Sequence, residues 1–95
     1  MTEEFAMTAL SLAGHDKGQI YVIIEANAEY VYLADGKYKT IAVPKRKNRK
    51  HIQINHDADQ ILIEKKNAGT LADSDIRRVV KKWRLEHVKS RCCRN

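Results

Sequence analysis

The stretch AGHDKGQIYVIIEANAEYVYLADG, Ala13–Gly36, decides how the chain is read. Gly14 and Gly18 bracket His15, Asp16 and Lys17. Glycine tolerates positive φ, so the pair suits a sharply curved loop that brings backbone close to a partner. Ile20, Val22 and Ile24 then alternate with Tyr21, Ile23 and Glu25, the period of a strand. Val31 and Leu33 resume the alternation after a short loop at Ala26–Glu29. Asp35-Gly36 predicts a type I′ hairpin turn, which needs positive φ at both central positions.

Working outward toward the N-terminus, Thr8–Leu12 predicts a first strand, and residues 1–6 a flexible terminus. Toward the C-terminus, Lys37–Val43 predicts another strand, with Lys39, Ile41 and Val43 on one face. Pro44 would end it, because proline cannot donate to the ladder. His51–Asn55, with Ile52 and Ile54 alternating, predicts a short closing strand. Four or five short strands with tight turns suit a small, bent antiparallel barrel over residues 7–55.

The period then changes. Asp57–Asn67 carries Ala58, Ile61, Leu62 and Lys65 at helical spacing, and Ala68-Gly69 is a stop. Ile61-Leu62-Ile63 reads equally as strand. Asp73, or less well Ala72, caps a final helix with Ile76, Val79, Val80, Trp83 and His87 along one stripe. Trp83 is expected to anchor that helix on the barrel. The opposite face carries Arg77, Arg78, Lys81, Lys82 and Arg84. The fold class is therefore α+β, with a helical extension over 56–90 and a tail at 91–95.

Ninety-five residues make one domain with a modest core. A formal charge of +6 and a pI near 9.5 point to a polyanionic partner, of which nucleic acid is the commonest. No apolar run approaches the roughly 20 residues of a membrane span. Phe5–Ala13 is mildly apolar, but Glu3 and Glu4 precede it where a signal peptide needs positive charge. The only cysteines, Cys92 and Cys93, are adjacent and have no framework to join, as a reducing, cytoplasmic setting allows. With His87 they match no recognised zinc spacing.

The run Leu12-Ala13-Gly14-His15-Asp16-Lys17-Gly18, then a β-branched strand, then Leu33-Ala34-Asp35-Gly36, resembles a KOW motif. More narrowly it resembles the small bacterial KOW-domain RNA-binding proteins, related to KOW-containing large-subunit ribosomal proteins of archaea and eukaryotes. The likeness covers roughly residues 8–54 and extends more weakly to about residue 88. It departs at Ile20, where many KOW motifs have a glycine, and at Met7–Leu10, which lacks an opening glycine. The resemblance implies an SH3-like barrel that binds RNA, ribosomal RNA or a ribosomal particle in particular, with the glycine loop in the contact.

Five of the six residues Lys45-Arg46-Lys47-Asn48-Arg49-Lys50 are cationic, and His51 follows. Such a run repels itself until a polyanion neutralises it, so it is expected to be mobile when free and ordered on phosphate. The plain alternative is a solvated surface loop. His15, Lys17 and Gln19 are candidates for phosphate or sugar contact, with Asp16 capping the turn's amides. Arg77, Arg78, Lys81 and Lys82 would extend the basic surface. Tyr21 and Tyr38 are the candidates for base stacking, set against the ordinary role of tyrosine as a half-buried strand residue. No nucleophile motif or phosphate loop is present, so no enzymatic activity, cofactor, metal, membrane or small-molecule substrate is expected, and the free protein should be monomeric. The alternative of a different class is a protein-interaction module of the KOW or Tudor type, because fold alone does not decide between these uses.

Overall fold

The computed structural model describes the backbone of residues 4–56 and 58–94, with side chains as far as residue 86. Five strands come first: β1 (Thr8–Ser11), β2 (Ile20–Ala26), β3 (Tyr30–Ala34), β4 (Lys45–Asn48) and β5 (Ile52–Asn55). A 3-10 turn, Arg49–His51, leads from β4 into β5. Two helices follow, α1 (Gln60–Ala68) and α2 (Asp73–Arg94). The strands form one antiparallel sheet in the order β4-β3-β2-β1-β5, open between its two outer strands. No helix among the described residues is long and apolar enough to cross a membrane.

Both faces of this sheet are buried. Ile20, Val22 and Ala34 on one face meet Leu62 of α1 and Ile76, Val79 and Val80 of α2. Leu10, Ile41 and a half-buried Trp83 pack at the margin of this core. On the other face Ala9, Tyr21, Ile23, Ala26, Val31, Leu33 and Ile52 form a second core. All of these belong to strands, so the sheet must curl over its own face to exclude water from them. A bulge helps: pairing steps from Ile23–Leu33 to Glu25–Tyr32, leaving Ile24 as the extra residue. The phase of β2 inverts there, which lets Ile23 and Ala26 share one core.

The N-terminus is not loose where it is described. Phe5 and Ala6 are buried in the helix-side core, and Glu4 pairs with Arg49. Ala6 donates its amide to Ile23 and accepts the Asp59 amide. Residues 1–3 lie outside the described set.

The strand expected at Lys37–Val43 is a loop. Its amides are taken by side chains instead of a ladder. Asp35 Oδ1 accepts from Lys37, Tyr38 and Lys39, each at 2.9 Å. Thr40 Oγ1 accepts from Val43, and Asp73 Oδ1 accepts from Ile41 at 2.8 Å. Asp35-Gly36 is therefore not a hairpin turn between paired strands. The strand that pairs with β3 is the basic segment Lys45–Asn48, and Pro44 precedes it rather than ending one.

Helix α1 starts at Asp59, whose carboxylate accepts the Leu62 amide, and stops at Gly69 with φ of 75°. Asp57, the expected start, lies outside the described residues. Helix α2 begins at Asp73, so its cap falls at Ala72, the lesser of the two expected positions. Asp75 accepts the Ala72 amide, while Asp73 is spent on Ile41 across the chain. Lys65 to Asp75 at 2.9 Å ties the two helices together. The backbone of α2 runs on to Arg94, through the expected tail, and the side chains of His87, Cys92 and Cys93 lie outside the described set.

Candidate nucleic-acid interface

The glycine loop is built around one carboxylate. Gly14 and Gly18 take φ of 86° and 88°, and across the loop's base the Gly18 amide donates to the Ser11 carbonyl while the Ser11 amide donates to the Gln19 carbonyl. This turns Asp16 inward. Its Oδ1 accepts from Ser11 Oγ at 2.8 Å and Lys47 Nζ at 2.5 Å, and its Oδ2 from Lys45 Nζ at 2.5 Å and Tyr21 Oη at 3.2 Å. Burial pushes this carboxyl up, but hydrogen bonds from Lys45, Lys47 and Ser11 outweigh it and hold it well below the usual carboxylate range. The same burial, with the Asp16 charge beside it, pushes the Tyr21 hydroxyl up to about 12. Asp16 thus joins the loop to β4, where it was expected to cap the loop's own amides.

The basic run is consequently an ordered strand, not a free phosphate clamp. Alternation puts Lys45 and Lys47 over Asp16, with Lys47 also donating to the Ala13 carbonyl. Arg46 points the other way, 4.7 Å above the Tyr30 ring. Arg49 forms a two-pronged bond to Glu4, which lowers that carboxyl. Arg46, Lys50 and His51 remain exposed. Three of the five cations in the run are therefore already paired within the chain, Lys45 and Lys47 sharing Asp16 and Arg49 holding Glu4.

Tyr21 is buried at 6% exposure with its hydroxyl on Asp16, so its ring offers no face to a base. Period-two reasoning assigned it to an outer face; the curl of the sheet makes that face a second core. Tyr38 is the opposite case, 78% exposed on the loop after β3.

Tyr38 borders a cleft of about 320 Å³ between this loop and α2, lined by Gln19, Asp35, Lys37, Tyr38, Arg77, Val80, Lys81 and Arg84. Gly36 makes the cleft. At φ of 80° it lies against the first turn of α2, where an added methyl would stand 2.7 Å from Arg77 Cγ and 2.9 Å from the Arg77 amide. Arg77 donates to the Gly36 carbonyl at 2.7 Å, and Arg84 donates to Gln19 Oε1 at 3.1 Å. Four cations face one carboxylate, and Asp35 already serves three amides through Oδ1. The cleft gathers Gln19, Tyr38, Arg77 and Lys81 of the expected site, and none of residues 45–51 lines it. His15, Lys17 and Lys82 are exposed elsewhere, and Arg78 lies 3.6 Å from Asp59. Lys37 and Arg84 were missed as site residues. Arg84 follows Arg77 and Lys81 at i+7 and i+3 on one helical face, a signal the sequence does contain.

Among the described residues, no three His, Cys, Asp or Glu side chains gather as metal ligands. No family model matches the chain, and neither does any curated protein.

Proposed function

We propose that this chain is a non-catalytic RNA-binding protein of the KOW type, with an SH3-like barrel, that acts on ribosomal RNA or a ribosomal particle in the cytoplasm. The observation that carries this reading is the cleft at Tyr38. An exposed aromatic ring stands among Lys37, Arg77, Lys81 and Arg84, with Asp35 as the one acid. Cations supply salt-dependent attraction for phosphate, and an exposed ring supplies a surface for a base. Lys17, Arg46, Lys50 and Lys82, all exposed, widen the positive field around it. The curled five-stranded sheet, with a core enclosed by its own strands, supports the barrel assignment.

The test is co-sedimentation of the tagged protein with ribosomal subunits on a sucrose gradient, with and without nuclease. Co-migration that nuclease abolishes and rising salt weakens is the expected result. Association that resists both would favour a protein partner and overturn the RNA reading.

A further inference from the structure

Resting on the RNA-binding reading, we infer that the cleft between the 35–40 loop and α2 takes an unpaired nucleotide. Its base stacks on Tyr38 and its phosphate lies on Lys81 and Arg84. The argument begins with the ring. Tyr38 is 78% exposed, and the Lys37 ammonium stands 5.0 Å from its centroid. A cation on one side of so exposed a ring leaves the other side open, and an open face is what a base requires.

The platform is also held in place before any ligand arrives. The Tyr38 amide is fixed on Asp35 Oδ1. The loop is pinned to α2 at two points, by Arg77 on the Gly36 carbonyl and by Asp73 on the Ile41 amide. A ring mounted on a fixed loop costs little ordering entropy on binding.

The donors around it are unequally committed. Arg77 is engaged with the Gly36 carbonyl, and Arg84 gives one nitrogen to Gln19. The Lys81 ammonium has no partner among the described residues and lines the same cleft. Lys81 and the remaining guanidinium donors of Arg84 are thus the groups left for phosphate. The acid that could repel it, Asp35, has one oxygen spent on three backbone amides.

A volume of about 320 Å³ is at the small end of ligand sites, which run from about 300 to 1,000 Å³. It suits one nucleotide. A base inside a duplex is stacked on both faces by its neighbours and offers none to Tyr38. The site should therefore separate unpaired from paired RNA and tolerate any base, since every base has a π-face.

Fluorescence anisotropy with the full chain tests this, using a labelled RNA duplex and the same duplex carrying one bulged nucleotide. The bulged RNA should bind about tenfold more tightly, the scale of one stacked base. Tyr38→Leu should abolish that preference and Tyr38→Phe should keep it, while Lys81→Ala should weaken binding of both RNAs. Equal affinity of wild type for the two RNAs, or a preference that Tyr38→Leu leaves intact, overturns the inference and leaves RNA binding standing. Failure to bind either RNA, together with no co-sedimentation, removes the RNA reading itself.

Discussion

Asp16 accepts from a serine, a tyrosine and two lysines, and each of those donors comes from a different position along β1, β2 or β4. Removing its charge leaves Lys47, whose side chain is 10% exposed, without a counter-ion. Asp16→Ala is therefore expected to cost about 3 kcal/mol, the scale of breaking a buried pair by deleting one partner. The pH dependence has a definite sign. The folded carboxyl titrates below its unfolded value near 3.9. Its contribution is fully present above that value and is lost as pH falls through the folded one. Urea midpoints should drop below about pH 4 in wild type, and the drop should be shallower in Asp16→Asn. Identical acid limbs in the two proteins would show that Asp16 does not carry the effect. Tyr21 acts at the other end of the scale. Its hydroxyl is raised to about 12, so stability should fall as pH rises from about 10 toward that value, and less so in Tyr21→Phe.

At the scale of elements, the decisive contact is the loop after β3 against the start of α2. Gly36 and Gly18 both take positive φ, at 80° and 88°. Only Gly36 has no room for a side chain, while Gly18 has nothing within 4 Å of an added methyl. Gly18→Ala should cost about 1–2 kcal/mol for the left-handed backbone alone. Gly36→Ala adds overpacking and should cost about 2–4 kcal/mol, with a matching fall in melting temperature. Equal costs would mean that the loop does not rest on the helix as described. Trp83 belongs to the same docking but is only half-buried. Trp83→Ala should therefore cost about 1–2 kcal/mol, less than a fully packed tryptophan.

At the scale of the molecule, a net charge of +6 is divided into two populations. Lys45, Lys47 and Arg49 serve acids within the chain, whereas Lys37 and Lys81 line an open cleft. The two sets should behave differently in filter binding. Replacing Lys37, Lys81 and Arg84 with serine should lower the salt slope by roughly 0.7–0.9 for each phosphate that the variant no longer neutralises, with the fold intact. Replacing Lys45 and Lys47 should lower the melting temperature and leave the slope nearly unchanged. The reverse pattern would return the binding site to the basic run. Lys17→Ala is the separate test of the glycine loop. Lys17 is exposed, so the change should leave stability within about 0.5 kcal/mol and weaken RNA binding uniformly if the loop touches phosphate.

Much of the α+β order is legible in the residues. Alternation marks β2, β3 and β5, glycine marks the loop and the end of α1, and the Ile76-Val79-Val80 stripe marks α2. These signals are local, because a strand's period or a helix's cap depends on neighbours a few residues away. The identity of β4 is not legible, because a strand of Lys-Arg-Lys-Asn has no apolar alternation and is held by Asp16 and Tyr30 from elsewhere in the chain. Nor is the burial of Tyr21 legible, since only the curl of the sheet turns its face into a second core. The cleft depends most on tertiary structure. Its cations and its tyrosine can each be named from sequence, but Arg77, Lys81 and Arg84 stand about 40 positions from Tyr38 and meet it only because Gly36 lets the loop rest on α2. Sequence by itself determined which residues carry charge and which are apolar. Tertiary structure decided which charges are spent inside the chain, because that depends on distance and burial, and neither is a property of the residue alone.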